Sequence, residues 1–179
     1  MTSMVQSDSR NVLVSICCIT YNQEAYIRDA LEGFVKQKTN FRYEVLIHDD
    51  ASTDRTAEII REYEEKYPQT FRLVDKANGG YGSTLNYSMP AARGRYFKQL
   101  DGDDWFVPER LADLTAVLND TDADLVVTQV LRHDEGSGEE VLRDYLPAQA
   151  EETVSFEHVT VPGLLPMHSV TYETALLRQ

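Results

Sequence analysis

The run Val12-Leu13-Val14-Ser15-Ile16-Cys17-Cys18-Ile19 is apolar at every position except Ser15. A half-exposed strand would alternate and a surface helix would leave a polar stripe, so an unbroken apolar run fits a strand covered on both faces. Strands of that kind sit inside parallel sheets, and parallel neighbours require crossover connections, usually helices. The sequence supplies one at once. After the polar loop Thr20-Tyr21-Asn22-Gln23-Glu24, the residues Ile27, Ala30, Leu31, Phe34 and Val35 recur at helical spacing up to about Gln37.

The alternation then repeats. Tyr43 to His48 reads as a second strand, ending at Asp49-Asp50-Ala51-Ser52-Thr53-Asp54. Ser52 or Thr53 is placed to cap a helix with Ala57, Ile60, Tyr63 and Tyr67 on its apolar face, and Pro68 ends it. Phe71 to Val74 is a third strand. The small-residue loop Asn78-Gly79-Gly80-Tyr81-Gly82 leads to a helix over Ser83 to Ala92, with Gly94 as its terminator. Arg95 to Leu100 is a fourth strand. Beyond it, the pattern predicts a helix over Pro108–Leu118, a strand over Asp124–Arg132, and a hairpin turn at 135–139 returning through Val141–Leu146. Residues 151–163 carry no clear period, and Thr171–Gln179 reads as the start of a helix. The expected fold is α/β: a three-layer α/β/α arrangement, Rossmann-like, with a mostly parallel sheet and helices on both faces. A single domain would span 11–179, preceded by a loose polar tail over 1–10.

In such sheets ligands bind beyond the carboxyl ends of the strands. Three of those ends carry polar or acidic groups: Tyr21-Asn22, Asp49-Asp50, and Asp101-Gly102-Asp103-Asp104. The last places three carboxylates in one short turn. Like charges that close repel, and a fold accommodates them when a cation or donor groups neutralise them. Hard oxygen ligands suit Mg²⁺ or Mn²⁺, which bind through one or two carboxylates and complete their shells with water and phosphate. A solvated acidic turn before the next helix explains the same residues without a ligand.

The net charge of −13 excludes a nucleic-acid partner, because no basic stripe offsets that field. An anionic substrate would need a local device such as a metal ion or a helix N-terminus. No apolar run is long enough to span a membrane, and the first ten residues lack the apolar segment of a secretory signal. Cys17 and Cys18, adjacent in a strand, fit buried thiols of a reducing cytoplasm, so the expected location is cytoplasmic, peripheral at a membrane in a longer form. His48 fits a packed core position. Asp134 and Glu135 fit a solvated turn, and Trp105 could wall a pocket or anchor the core. Asp54 suits the positive end of a helix.

Taken together, Val14-Ser15-Ile16 with Thr20-Tyr21-Asn22, Tyr43-Glu44-Val45 with Asp49 to Asp54, Asn78-Gly79-Gly80 with Asn86, Ala92 to Tyr96, and Leu100-Asp101-Gly102-Asp103-Asp104 form a pattern. It resembles that of the inverting family 2 glycosyltransferases of the GT-A fold, over about Val12 to Arg110. The Ile19-Thr20 turn departs from the family's usual residues. The resemblance implies transfer of a sugar from a nucleotide-diphosphate donor, a UDP-sugar, to a glycan or lipid-linked acceptor in polysaccharide or glycan synthesis. It implies a nucleotide site at Thr20, Tyr21, Asn22, Glu24, Asp50, Ser52, Asp101 and Gly102, with Tyr21 on the base and Asp50 accepting from the imide N–H. It places Mn²⁺ or Mg²⁺ on Asp103 with Asp101. The general base is expected beyond Gln179, past a segment like His168-Ser169-Val170-Thr171-Tyr172, in a continuation of a truncated domain. A binding-only nucleotide-sugar domain is the alternative. A nucleotidyltransferase would require a Gly-rich basic loop after the first strand, and a phosphoacceptor receiver would require a late lysine near its acid pocket. Neither is present.

Overall fold

β1 (Val12–Thr20) is buried from Val14 to Thr20 and forms the centre of a six-stranded sheet. The structure is a computed structural model that describes residues 12–75, 77–146, 153–155, 159 and 163–178. In chain order β1 is followed by α1 (Ile27–Val35), β2 (Arg42–Asp49), α2 (Thr56–Lys66), β3 (Phe71–Asp75), α3 (Gly80–Ala91), β4 (Tyr96–Asp101) and α4 (Arg110–Asp120). The strands β3, β2, β1 and β4 lie side by side and parallel, as the helical crossovers require.

The apolar run of β1 divides by alternation. Val14, Ile16 and Cys18 join Val45, Ile47, Tyr96 and Leu100 in a core closed by α1, α2 and α4 through Leu31, Phe34, Ile60, Leu111 and Leu118. Cys17 and Ile19 point to the opposite face, where Leu46, Phe97, Leu85 and Met89 complete a smaller core under α3. A continuous apolar sequence is what two covered faces demand. Both cysteines are free and buried, and burial pushes the Cys17 thiol up to about 12. His48 is fully buried, as its strand position predicts.

Several motif residues hold the opposite end of the sheet together. Ser15 Oγ donates to Glu44 Oε1 at 2.6 Å and accepts the N–H groups of Arg93 (3.0 Å) and Gly94 (2.8 Å). Glu44 Oε1 also accepts Arg93 N–H at 2.7 Å, and Arg72 lies 3.5 Å from Glu44 Oε2. A buried carboxylate is tolerated because each oxygen is met. A Cβ on Gly94 would stand 2.5 Å from the backbone nitrogen of Ser15, so only glycine lets these segments approach.

The second half departs from expectation in two places. The strand predicted over Asp124–Arg132 is two strands: β5 (Leu125–Val127) in the main sheet and β6 (Val130–His133), which pairs with β7 (Glu140–Arg143) in a separate hairpin. At the division Thr128 turns its N–H and hydroxyl to the carbonyl of Ser169, at 2.8 and 3.1 Å. The helix expected to open at Thr171 is instead β8 (Val170–Glu173), inserted antiparallel between β4 and β5, with a 3₁₀ turn at Leu176–Arg178 after it. Helix starts also shift. α2 begins at Thr56 without a Ser52 or Thr53 cap and buries Ile59 in place of Ala57; α3 begins at Gly80 and α4 at Arg110. The tail over 1–10 and most of 151–163 lie outside the described residues.

Candidate active site

The sheet delivers the ends of β1, β2 and β4 to one edge, and backbone bonds fix their level. Asp50 N–H donates to the Thr20 carbonyl at 3.0 Å, and Gly102 N–H to the Ile19 carbonyl at 2.8 Å. The loop after β1 is stitched to the start of α2. Asn22 takes a left-handed conformation (φ 52°), which asparagine tolerates better than most residues. Its Oδ1 accepts Thr53 N–H at 2.8 Å while its own N–H donates to Ser52 Oγ at 2.9 Å. Glu24 N–H donates to Asp54 and Arg55 N–H to the Glu24 carboxylate, at 3.1 and 2.9 Å. Asn22 is therefore brought onto Ser52 and Thr53, and Glu24 onto Asp54 and Arg55. Tyr21, in the same loop, leaves half of its surface exposed.

The two aspartates closing β2 have different tasks. Asp49 accepts the N–H of Ser52 at 3.2 Å and also its hydroxyl, forming a local turn. Asp50, only 6% exposed, accepts the N–H groups of Gly79 (3.0 Å) and Gly80 (2.9 Å), and its carbonyl accepts Asn78 Nδ2 at 2.9 Å. It is thus the anion at the N-terminus of α3, where the helix dipole favours negative charge. Ala51 follows at φ 62°, a left-handed strain for a residue with a Cβ, and such strain gathers at functional sites. An open depression of about 640 Å³ lies beside this turn, lined in part by Asp49, Ser52, Arg61 and Ala77. It does not reach the acid turn after β4.

In that turn Asp103 is exposed and Gly102 buried, with Asp101 and Asp104 half-buried. Burial pushes the carboxyls of Asp101 and Asp104 up, and the neighbouring carboxylates add to the shift in both. Tyr81, on the first turn of α3, donates its hydroxyl to Asp101 Oδ1 at 3.0 Å and accepts from Gln99 Nε2. His168 Nδ1 lies 3.7 Å from Asp104 Oδ2. A Cβ on Gly102 would stand 2.3 Å from Gln23 Oε1 and 2.9 Å from Thr20 Cβ, so the turn passes closely over the β1 loop. The buried oxygens Thr20 Oγ1 and Gln23 Oε1 there have no hydrogen-bond partner among the described residues. Trp105 packs its Cβ towards Gly33 of α1 and its edge against His133 at 6.2 Å, and stays half exposed.

The donor set fits a hard divalent cation. Three carboxylates share the turn, burial leaves two of them uneasily charged, and orphaned oxygens adjoin it. Among the described residues no three His, Cys, Asp or Glu side chains converge on one point, so protein would supply only part of a shell. Tyr81, Gln99 and Gln23 were not singled out from sequence. The cue for Tyr81 was its place between glycines at a helix start, where a side chain lies close to two strand ends.

A doubly wound sheet with a polar loop, a buried aspartate and an acidic turn at the carboxyl ends of its strands defines an α/β architecture with a candidate ligand site at that edge. Residues 15–171 match the family described as Glycosyl transferase family 2, and the chain belongs to that family. It is 48% identical to Rv1520 of Mycobacterium tuberculosis over 101 residues, 55% of this chain and 29% of that protein. It is 32% identical over 119 residues, 65% of this chain, to the poly(ribitol-phosphate) beta-N-acetylglucosaminyltransferase TarS of Staphylococcus aureus, of which that match covers 20%. The crystal structure of TarS residues 1–349 with UDP superposes with a TM-score of 0.74 at 26% identity, over 93% of this chain and 48% of that one. The same protein has been solved with UDP-GlcNAc (TM-score 0.73, 28% identity, 93% and 47% covered). A mannosyltransferase, PcManGT of Pyrobaculum calidifontis, solved with GDP-Man and Mn²⁺, superposes at 0.59 and 26% identity over 68% of this chain and 36% of that one. The chain thus spans less than half the length of these relatives. It is a GT-A glycosyltransferase domain, and no helix among the described residues is long and apolar enough to cross a membrane.

Proposed function

We propose that this domain binds a UDP-sugar together with Mn²⁺ or Mg²⁺ and transfers the sugar, with inversion, to a hydroxyl of a glycan or lipid-linked acceptor in cell-surface polysaccharide synthesis. The observation that carries the reading is the common level of Asp50 and the Asp101–Asp104 turn, fixed by backbone bonds to Thr20 and Ile19. The TarS structures with UDP and UDP-GlcNAc, and the mannosyltransferase with Mn²⁺, support it by likeness.

In this reading Tyr21 stacks on the base and Asp50 accepts its imide N–H. Thr20 and Asn22, with Glu24 and Ser52 holding the loop, form the ribose side with Asp101 and Gly102. Asp103, the exposed carboxylate, and Asp101 hold the cation. When bound, that ion neutralises charge developing on the diphosphate leaving group. An inverting transfer also needs a carboxylate base for the acceptor hydroxyl. Asp134 is engaged by Ser137 in an exposed turn and Glu173 faces Arg95 at 3.8 Å, so neither is assigned as that base. Calorimetric titration with UDP-GlcNAc and UDP in Mn²⁺ and in chelator tests the reading. Metal-dependent binding supports it, and the absence of binding in Mn²⁺ overturns it. Binding without sugar release to water or acceptor in a longer chain would leave the binding-only alternative.

A further inference from the structure

The first turn of α3 touches both ends of the candidate site. Gly79 and Gly80 give their N–H groups to the Asp50 carboxylate, and the next residue, Tyr81, gives its hydroxyl to Asp101 Oδ1 at 3.0 Å. Gly80 has φ 75°, a left-handed conformation that glycine adopts without strain, and it lets consecutive residues reach two different strands. The phenol oxygen also accepts from Gln99 Nε2. With its lone pair engaged by Gln99, its proton is directed to Asp101, and the arrangement runs one way: amide to phenol to carboxylate. Gln99 is 3% exposed and lies in β4 two residues before Asp101, so the far end of this chain of bonds is fixed in the sheet. Tyr81 itself keeps 44% of its surface in solvent, so its ring contributes little to either core, and its hydroxyl contacts are its distinguishing feature.

We propose that Tyr81 is a positioning residue for the metal-binding carboxylate. It occupies Asp101 Oδ1, leaves Oδ2 as the oxygen offered to Mn²⁺ or Mg²⁺, and through Gly79-Gly80 ties that geometry to Asp50 at the base end. A carboxylate held in one rotamer loses less freedom when the ion and diphosphate arrive, which raises affinity without a new contact to either. Binding at one end of α3 would also order the other, so nucleotide and metal should strengthen each other. This inference rests on the metal-dependent nucleotide reading above.

The test is Tyr81→Phe, which removes the hydroxyl and keeps the ring. Mn²⁺ binding is followed by electron paramagnetic resonance, with the metal alone and with UDP. The expected result is Mn²⁺ affinity lower by about ten-fold, the scale of deleting a hydrogen bond to a charged group. The mutual strengthening of Mn²⁺ and UDP should shrink as well. Tyr87→Phe, on an exposed part of the same helix, should alter neither quantity. A double-mutant cycle with Asp101→Asn separates positioning from general loosening of α3: the two losses should not add, because Tyr81 acts through Asp101. Unchanged Mn²⁺ affinity in Tyr81→Phe, or fully additive losses, overturns the proposal. If the unaltered protein binds Mn²⁺ but not UDP, the nucleotide reading fails and the metal-alone measurement still decides the role of Tyr81. If it binds no Mn²⁺ in either condition, both fall together.

Discussion

Lys98 Nζ donates to the carbonyl oxygen of His168 at 2.7 Å, from a position in β4 that is only 3% exposed. This bond ties the sheet to the 3₁₀ turn at Met167–Ser169 and so sets His168 beside Asp104. Burial pulls the ammonium down to about 8 from an ordinary 10.5.

That depression has a sign. Below about pH 8 both folded and unfolded chains carry the proton, and the cost of burying the charge is fully present. Between about 8 and 10.5 the unfolded chain binds the proton and the folded one does not, so this group makes stability rise with pH, by at most about 1.4 kcal/mol per pH unit. Cys17 and Cys18, whose thiols are raised by burial, act oppositely above about pH 9. The prediction therefore concerns a difference: relative to Lys98→Met, the unaltered protein should gain stability in chemical denaturation between pH 8 and 10. A constant difference across that range would show that Lys98 keeps its proton in the folded protein throughout, so that burial does not lower it.

Legibility of the sequence stopped at a physical boundary. The units from β1 to β4 were readable because β1 is a continuous apolar run, the crossovers α1 and α2 carry an amphipathic period, and glycine-rich loops and Pro68 mark the breaks between elements. β8 was not, since Val170–Glu173 becomes a strand only by pairing with β4 and β5, far away in sequence. A period of two over four residues is too short to outweigh a helical reading. For the site, the positions of Asn22, Glu24, Ser52, Asp50 and Asp101 at one edge followed from strand ends. Their partners did not: nothing local indicates that Asn22 meets Thr53, that Asp50 meets Gly79 and Gly80, or that Tyr81 reaches Asp101. Those contacts join separate crossovers and exist only after the sheet has formed.

Gly94→Ala should destabilise the protein while leaving nucleotide affinity of the folded fraction unchanged. The added Cβ would meet backbone atoms of Val14 and Ser15 at 2.7 and 2.5 Å, and backbone in a central strand cannot yield as a side-chain tip would. The expected cost is about 1–3 kcal/mol, typical of overpacking, and more if the Ser15–Glu44 bonds break with it. Thermal denaturation within a degree of the unaltered protein would contradict the close approach.

Asp103→Ala should weaken UDP binding in Mn²⁺ by about ten-fold or more, a scale seen when groups supporting a bound metal are removed. The same substitution should change little in chelator, where only base and ribose contacts remain. Calorimetry in both conditions measures the contrast. An equal loss with and without metal would assign Asp103 to the acidic turn alone.

Asp50 requires a subtler experiment, because its carboxylate already accepts from Gly79 and Gly80 at the start of α3. Removing it in Asp50→Ala leaves two helix N–H groups without that acceptor and the helix dipole without its anion, at a cost of about 1–2 kcal/mol. Weaker UDP binding by this variant would therefore follow from a disturbed helix as readily as from a lost base contact. The ratio of affinities separates the two. A cap alone supports UDP and CDP equally, so both would weaken together and their ratio would stay fixed. A carboxylate that also accepts the uracil imide N–H discriminates against cytosine, whose N3 offers a lone pair there, and leaving such an acceptor unpaired costs about 1–3 kcal/mol. The prediction is that the unaltered protein prefers UDP to CDP by about ten-fold or more. In both Asp50→Ala and Asp50→Asn the preference should collapse towards unity, alongside a fall in thermal stability that is larger for alanine. A preference that survives both substitutions would confine Asp50 to the start of α3 and move base recognition elsewhere in the loop around Tyr21.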